Sequence, residues 1–395
     1  MKRRQRIISI ASLLSIMLGM ALLGGSRGVM VPVLKRDFMI TDSTIGTMFL
    51  ISTLGYMMFT YVAGQLINRI GNKKLLQIGL ATVVASFAVM FWSPNFIWFT
   101  LGYFINGAGN AFLILGVNMT TPLYAIAFQA ALLNIIHGCY GLGSALVQRL
   151  TGYFISNNIS WRLMFLGFMV FHLIILVYVF FTSYPWPPRS RTQPTELKQN
   201  SSKTLFTNKI VYLLIIALGF GLMGEHGINN WFVNYMKVGY GINENAGSVY
   251  LSLFFVLFTI GRFGGGFVLE KIGYMKGILG VQLISSAIYL AGIIMGVNGL
   301  ALITGAGLLQ AVVYPTIMIT VPKLFPDNTA QAMAFISIGT SLINNLGHLL
   351  LGVLNDSIGV ISSFYILPIW LLLSGGAVGL IYKLTRERKL KPGIS

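Results

Sequence analysis

The chain has 395 residues, of which 55% are hydrophobic and only 9% charged, with a mean hydropathy of +0.78. That leaves too little polar surface to solvate a globule of this size, so the composition excludes an ordinary water-soluble domain and makes the lipid bilayer the solvent. The formal net charge of +18 would suggest nucleic acid in a soluble protein, but the 27 basic residues stand mainly at the ends of apolar runs, where they anchor membrane helices, and no nucleic-acid partner is expected.

In chain order, a basic start (Met1 to Arg6) leads into an apolar run at 7–34. This run is far longer than a signal-peptide core and is followed by more of its kind, so it predicts a first transmembrane helix. Spanning takes about 20 apolar residues, and further runs of that length fall at 44–68, 73–91, 95–119, 128–155 and 159–182. The polar stretch Ser183 to Asn208, with four prolines, reads as a linker. Six more runs follow at 209–237, 244–269, 276–296, 298–322, 329–354 and 360–383. The expected fold is therefore an all-α integral membrane protein: twelve transmembrane helices in two pseudo-symmetric six-helix bundles, 1–182 and 209–395, joined by a cytoplasmic linker over 183–208.

Cys139 is the only cysteine, which excludes an intrachain disulfide and a cysteine-based metal site. No histidine pair has convincing metal-ligand spacing, so neither metal nor cofactor is expected.

Charge placement gives the orientation. Lys2, Arg3, Arg4 and Arg6, then Arg69, Lys73 and Lys74, the linker cations, Lys271, Lys276, Lys323 and the cations from Arg386 onward all fall on one side. The positive-inside rule makes that side cytoplasmic, with both termini there, in a plasma (inner) membrane protein. Lys35 and Arg36 are the exceptions on the other side, offset by Asp37 and Asp42.

The two halves echo each other. GQLINRIGNKK (Gly64 to Lys74) and GFVLEKIGYMK (Gly266 to Lys276) align at an offset of 202, which also pairs Gly19 with Gly221, Gly25 with Gly227 and Asp42 with Glu244. At 198, Gly107-Ala108-Gly109 matches Gly305-Ala306-Gly307. Two tandem halves around a central site follow. The glycines Gly107, Gly109, Gly141, Gly143, Gly264, Gly265 and Gly266 read as close-packing positions. No nucleotide motif accompanies them, so drive by ATP is not expected.

The loop between helices 2 and 3 resembles the signature loop of the major facilitator superfamily. Gly64, Arg69, Gly71, Lys73 and Lys74 fit it, while Asn68 stands where that family usually has aspartate; the second copy has Gly266, Glu270 and Lys271. Trp161-Arg162, Gly261-Arg262 and Tyr314-Pro315 are familiar from the same superfamily. The helix 4 glycines, Asn134 to Gly143, and Glu225 with Trp231 are similar to its fucose-permease-like, sugar:proton symporter branch. Two features depart from that branch: Leu113 and Ile114 replace a usual acid, and Gln148-Arg149 replaces a usual Gly-Pro pair. The resemblance implies alternating access, with the loop charges and Arg262 acting as latches that one access state keeps.

Of nine carboxylates, only Glu225 lies deep in a span. Arg27 in helix 1 and Arg149 in helix 5 are also intramembrane charges, each costing roughly 2.5–3.5 kcal/mol at a helix centre unless met inside the protein. An Arg27–Glu225 contact either locks the halves or couples a proton to an electronegative solute; the residues alone leave both open. His226 adjoins Glu225 and joins it as a candidate proton carrier, whereas His348 in helix 11 reads as an interhelical residue. Candidate solute ligands are Arg27, Arg149, Asn106, Asn110, Asn134, His137, Asn229, Asn230, Trp231, Gln310, Tyr314, Asn344 and Asn345, with Trp231 as an aromatic face for a ring.

Together these features predict a secondary transporter that takes up a small polar solute (sugar, sugar acid or organic anion), uses protons as the coupling ion and works as a monomer. Efflux of drug-like or anionic compounds is the competing reading, suggested by 18 methionines and 27 phenylalanines. The spans hold no paired carboxylates and no histidine-rich cluster, which argues against an enzyme, and no extramembrane sensing domain is evident, which argues against a receptor.

Overall fold

The computed structural model describes residues 3–124, 129–185 and 207–389, and all regular structure in them is helical. Lipid offers no hydrogen-bond partner to a backbone, so each apolar run closes its own ladder as a helix. The spans are α1 (Arg3–Phe38), α2 (Asp42–Ile67), α3 (Arg69–Phe91), α4 (Phe96–Thr120), α5 (Gln129–Ser156) and α6 (Trp161–Phe181). They continue as α7 (Lys209–Tyr240), α8 (Glu244–Ile272), α9 (Tyr274–Ile294), α10 (Gly296–Leu324), α11 (Thr329–Ile358) and α12 (Val360–Thr385). Among the described residues 11 of these are long and apolar enough to cross a membrane, and α5 is the twelfth long helix. Polar side chains cap several starts: Thr41 for α2, Asn95 for α4 and Ser160 for α6.

One span departs from its expected form. The run at 298–322 predicts a regular helix, but α10 is assembled from short pieces, with ψ of −15° at Ala306, −10° at Val312 and −20° at Thr320. Those values tighten the turn, and Pro315 removes one N–H from the ladder.

Close packing divides the chain into two units, 1–190 with 241–252, and 191–240 with 253–395. Where the sequence places all of α8 in the second half, its first turns pack with the first unit. The cause is local. Ser252 Oγ donates to the Ala145 carbonyl of α5 at 2.8 Å, and Gly152 has no side chain where Ser248 sits, so that a Cβ there would lie 2.1 Å from Ser248 Oγ. Most of the expected linker lies outside the described residues.

The tandem repeat is written in the backbone. Positive φ occurs at Met39 (52°) and, 202 residues on, at Gly241 (69°); at Gly71 (82°) and Gly273 (94°), again 202 apart; and at Asn158 (55°) and Gly359 (84°). Each pair reverses the chain between equivalent helices. Gly71, with ψ 165°, occupies a region that only glycine adopts readily. Helix crossings repeat too. In the first unit a Cβ on Gly55 would lie 2.4 Å from the Phe104 carbonyl and one on Gly107 2.1 Å from that of Ser52. In the second, a Cβ on Gly261 would lie 2.1 Å from Leu308 O and one on Gly307 2.3 Å from Phe254 O. The equivalent of Gly107 is therefore Gly307, not Gly305, beside which nothing lies within 4 Å. Open space also surrounds Gly64, Gly264 and Gly266, so Gly264 and Gly266 are not the packing positions their sequence context suggests.

At the expected cytoplasmic end, the segment leaving α6 is tied back to α1. Ser9 Oγ lies 2.7 Å from the Ser183 carbonyl oxygen, and the hydroxyls of Ser12 and Tyr184 are 2.5 Å apart. Burial holds the Tyr184 phenol above its ordinary range, partly opposed by the Ser12 hydrogen bond.

The glycines separate into two classes that mutation can distinguish. Gly71→Ala and Gly273→Ala are each expected to cost about 1–3 kcal/mol, the strain of a side chain in that backbone region, read as a lower unfolding temperature in detergent. Gly64→Ala and Gly266→Ala are expected to leave that temperature unchanged or slightly raised.

Candidate functional site

One intramembrane cation of the first unit is Arg27 of α1. Its guanidinium lies over the rings of Phe49 (5.9 Å) and Tyr103 (5.4 Å), and its hydrogen bond to Ser52 Oγ is long at 3.4 Å. Nε is buried without a partner, and within its unit Arg27 meets no carboxylate among the described residues. Aromatic faces stabilise a cation without neutralising it, so the positive charge is retained. Nearby, Asn110 Nδ2 donates to Asn106 Oδ1 at 2.7 Å and Asn106 Nδ2 to Ser86 Oγ at 3.0 Å. Asn106 is thus committed to the protein interior, while Asn110 is only half-buried. Asn134 and His137 lie on α5, and the side chains of both fall outside the described residues.

Arg149, expected as a solute ligand, holds α8 instead. Its Nη1 donates to the backbone oxygen (2.9 Å) and Oδ1 (2.9 Å) of Asn245 and lies 2.7 Å from Ser248 Oγ. That clasp keeps the start of α8 with the first unit.

Several of the loop charges, expected as latches, meet carbonyls, a hydroxyl or aromatic rings. Lys73 Nζ donates to the Phe180 carbonyl at 2.8 Å, capping the end of α6, where the helix dipole favours a cation. Glu270 accepts from Tyr274 Oη at 3.4 Å, and Lys323 and Lys276 lie over the rings of Tyr274 and Tyr382. Arg69, Lys74 and Lys271 are exposed, and the side chain of Asn68 lies outside the described residues. Arg262 lies 4.8 Å over Phe258, with Nε buried and unpartnered. On the opposite side, Lys35 pairs with Asp42 at 2.7 Å and Arg36 with Asp37 at 2.9 Å. There too Trp161 Nε1 donates to Asp37 Oδ2, and Arg162 caps α3 at the Phe91 and Ser93 carbonyls. The exceptions to the charge rule are thereby explained as local pairs.

In the second unit Glu225 and His226 of α7 form a contact, His226 Nε2 to Glu225 Oε1 at 3.9 Å. The other ring nitrogen, Nδ1, lies 2.9 Å from Asn344 Oδ1 of α11. One turn on, the Asn230 amide is 3.1 Å from Nε2 of His348, and Trp231 Nε1 donates to its Nδ1 at 3.3 Å. The two imidazoles stack at 6.3 Å. Asn229 Nδ2 donates to Asn230 Oδ1 at 3.3 Å, and Asn345 Nδ2 to the Ser341 carbonyl at 2.6 Å. Trp231 is 0% exposed: with its ring enclosed by protein, it offers no face to a solute. Gln310 lies 3.5 Å from Gln282, which donates to Ser374 at 2.8 Å, in a network internal to the unit. Tyr314 is partly exposed on α10.

Met223 belongs to this cluster without having been expected there, and for His348, read as an interhelical residue, the sequence carries a further signal. HGINN (His226 to Asn230) and NNLGH (Asn344 to His348) read as each other's reverse, with Ile228 answered by Leu346. Both helices run in the same direction, so each rung pairs a histidine with an asparagine.

The family model described as Major Facilitator Superfamily matches residues 8–304 and 223–394. Among curated relatives, a "Protein TsgA homolog" of Buchnera aphidicola is 22% identical over 65% of this chain and 65% of its own length. The "Cis,cis-muconate transport protein" of Acinetobacter baylyi is 22% identical over 63% of this chain and 64% of its own. The chain thus spans just under two thirds of those two relatives. A "Putative glucose/galactose transporter" of Helicobacter pylori is 22% identical over 87% and 89%. Among solved structures, a bacterial homologue of the human lysosomal transporter Spinster superposes with a TM-score of 0.80 at 14% identity, over 97% of this chain and 98% of that one. The E. coli fucose:proton symporter gives 0.66 at 17%, over 95% and 99%.

Removing the Arg149 clasp has a measurable consequence. Arg149→Met, which keeps the length and loses the donors, is expected to cost about 2 kcal/mol, the size of a hydrogen-bonded charge removed, seen as a lower unfolding temperature. An unchanged temperature with a raised KM would reassign Arg149 to the solute.

Proposed function

This chain belongs to the major facilitator superfamily, and on that premise we propose that it moves a small polar solute bearing a carboxylate or similar electronegative group, a sugar acid or organic anion, by proton-coupled uptake. The movement is by alternating access of the two halves, in a plasma (inner) membrane with both termini cytoplasmic, and the working form is a monomer.

The observation that carries the coupling is the Glu225–His226 contact. It joins the one carboxylate deep in a span to an imidazole, and such a pair can take up or release a proton with small rearrangement. The solute class rests on Arg27, whose charge is retained on aromatic faces with no carboxylate among the described residues of its unit beside it; a guanidinium in that condition suits a carboxylate. The enclosed Trp231 weighs against stacking on a neutral sugar ring. The printed names of the relatives span both an organic dianion and hexoses, so they support the polar class and leave the charge to Arg27.

Uptake into proteoliposomes, with glucuronate and cis,cis-muconate as probes, tests this reading. Glu225→Gln is expected to abolish accumulation driven by a pH gradient while exchange without a gradient continues; accumulation that persists would overturn the proton role. Arg27→Gln is expected to raise KM for carboxylate probes about tenfold or more, as loss of a charged hydrogen bond implies. An equal effect on neutral sugars would overturn the anion assignment.

A further inference from the structure

The histidine–asparagine rungs between α7 and α11 constrain where protons can sit, because some of their neighbours have only one hydrogen-bonding role. A thioether sulfur accepts and never donates. Asn344 Nδ2 lies 3.3 Å from Met223 Sδ, which turns the amide so that its Oδ1 faces His226 Nδ1 at 2.9 Å. Gly347 makes room for this: a Cβ there would stand 2.8 Å from the same sulfur. A carbonyl oxygen requires a proton on the nitrogen it meets, so His226 carries Nδ1–H. Its Nε2 is then the basic lone pair, and that is the atom directed at Glu225 Oε1.

The second rung is set in the opposite sense. Indole N–H donates and never accepts, so Trp231 Nε1 at 3.3 Å makes His348 Nδ1 the acceptor. His348 then carries Nε2–H, which requires the Asn230 amide, 3.1 Å away, to present its oxygen there, and the Asn229 amide to turn with it so that its oxygen, in place of its Nδ2, meets the Asn230 NH2, reorientations open to any asparagine. A second proton on His348 would have to enter at Nδ1, where it would face the indole N–H.

We propose that Asn344 and Trp231 are positioning residues that fix opposite tautomers of His226 and His348, so that the coupling proton is taken by the Glu225–His226 pair, on His226 at Nε2, and is refused by His348. The inference rests on the proton-coupled reading of the Glu225–His226 pair. Among the described residues the titratable groups facing that pair are His348 from α11, stacked on His226, and Tyr289 from α9, which lies within electrostatic reach of Glu225 and donates its hydroxyl to the Gly224 carbonyl. With His348 held neutral, the pair loads one proton without competition from the ring stacked on it.

Nitrogen-15 NMR of the full chain, labelled at histidine and held in lipid bilayers, reads this directly, with single His→Gln variants assigning the four histidines. The expected result is Nδ1–H with an unprotonated Nε2 for His226, the reverse for His348, and a second proton gained on acidification by His226 and not by His348. An unprotonated Nδ1 on His226, or His348 charging in step with it, would overturn the proposal. Asn344→Leu is expected to mix the two His226 tautomers, displace the pH profile of uptake and slow it roughly tenfold, the size of one lost hydrogen bond. Asn344→Asp keeps an oxygen at Nδ1 and is expected to keep the Nδ1–H signal. Trp231→Phe is expected to let His348 titrate; a His348 that stays neutral there would overturn the role given to the indole. Should a variant fail to fold, the wild-type spectrum decides alone. The two readings fail separately: persistent gradient-driven accumulation in Glu225→Gln removes the proton role and leaves the tautomers standing, whereas the wrong tautomers remove the positioning roles and leave coupling standing.

Discussion

A hydrocarbon solvent offers no hydrogen-bond partner, so each polar group that enters a span must be met by another group of the chain or by what the chain carries. The consequences reach every level of this protein. Backbone groups close into helices, and hydroxyls in spans turn back to carbonyls one turn earlier, as Thr151 does to Val147 and Thr259 to Phe255. Cations near helix ends settle on carbonyls or rings, as Lys73, Arg162 and Lys323 do. Against that background the groups that are not neutralised within their unit are conspicuous. Arg27 retains its charge on two aromatic faces, and Glu225 has a histidine where a permanent cation would have neutralised it.

The repeat answers the same constraint twice. Two six-helix halves of like sequence need like reversals, and the chain reverses at Met39 and Gly241, at Gly71 and Gly273, and at Asn158 and Gly359, all with positive φ. The helix crossings through Gly55 and Gly107 recur through Gly261 and Gly307. Backbone-to-backbone approach without a side chain between is what lets helices adhere when lipid supplies no hydrophobic drive between them. The same repeat leaves room for asymmetry: the rungs of α7 and α11 carry their histidines and asparagines in the second unit, while the first carries the arginine on its aromatic faces.

Some readings of the residues were altered by their surroundings. Arg149 looked like a solute ligand because a charge in a span calls for a partner; the partner is the first turn of α8. Trp231 looked like a sugar platform, and it is enclosed, with its N–H given to His348. The signature-loop cations read as latches, and Lys73 caps a helix. In each case the residue type stated a need, and only the fold could say which neighbour meets it.

By itself the sequence determined the class, the twelve spans, the tandem repeat and the matched glycines Gly71 and Gly273, because hydropathy, charge placement and repeats are properties of order along the chain. It also singled out Arg27, Glu225 and His226, since an ionisable group in an apolar run is costly wherever it points. What only the tertiary structure decided is how those groups are used: that Arg27 rests on Phe49 and Tyr103, that Met223 turns Asn344 and Asn344 meets His226, and that α8 begins in the grip of α5. Helices this uniformly apolar carry no phase by which to tell an inward face from an outward one. Hydrogen-bond roles, set by donors and acceptors more than a hundred residues apart, exist only once the helices have met.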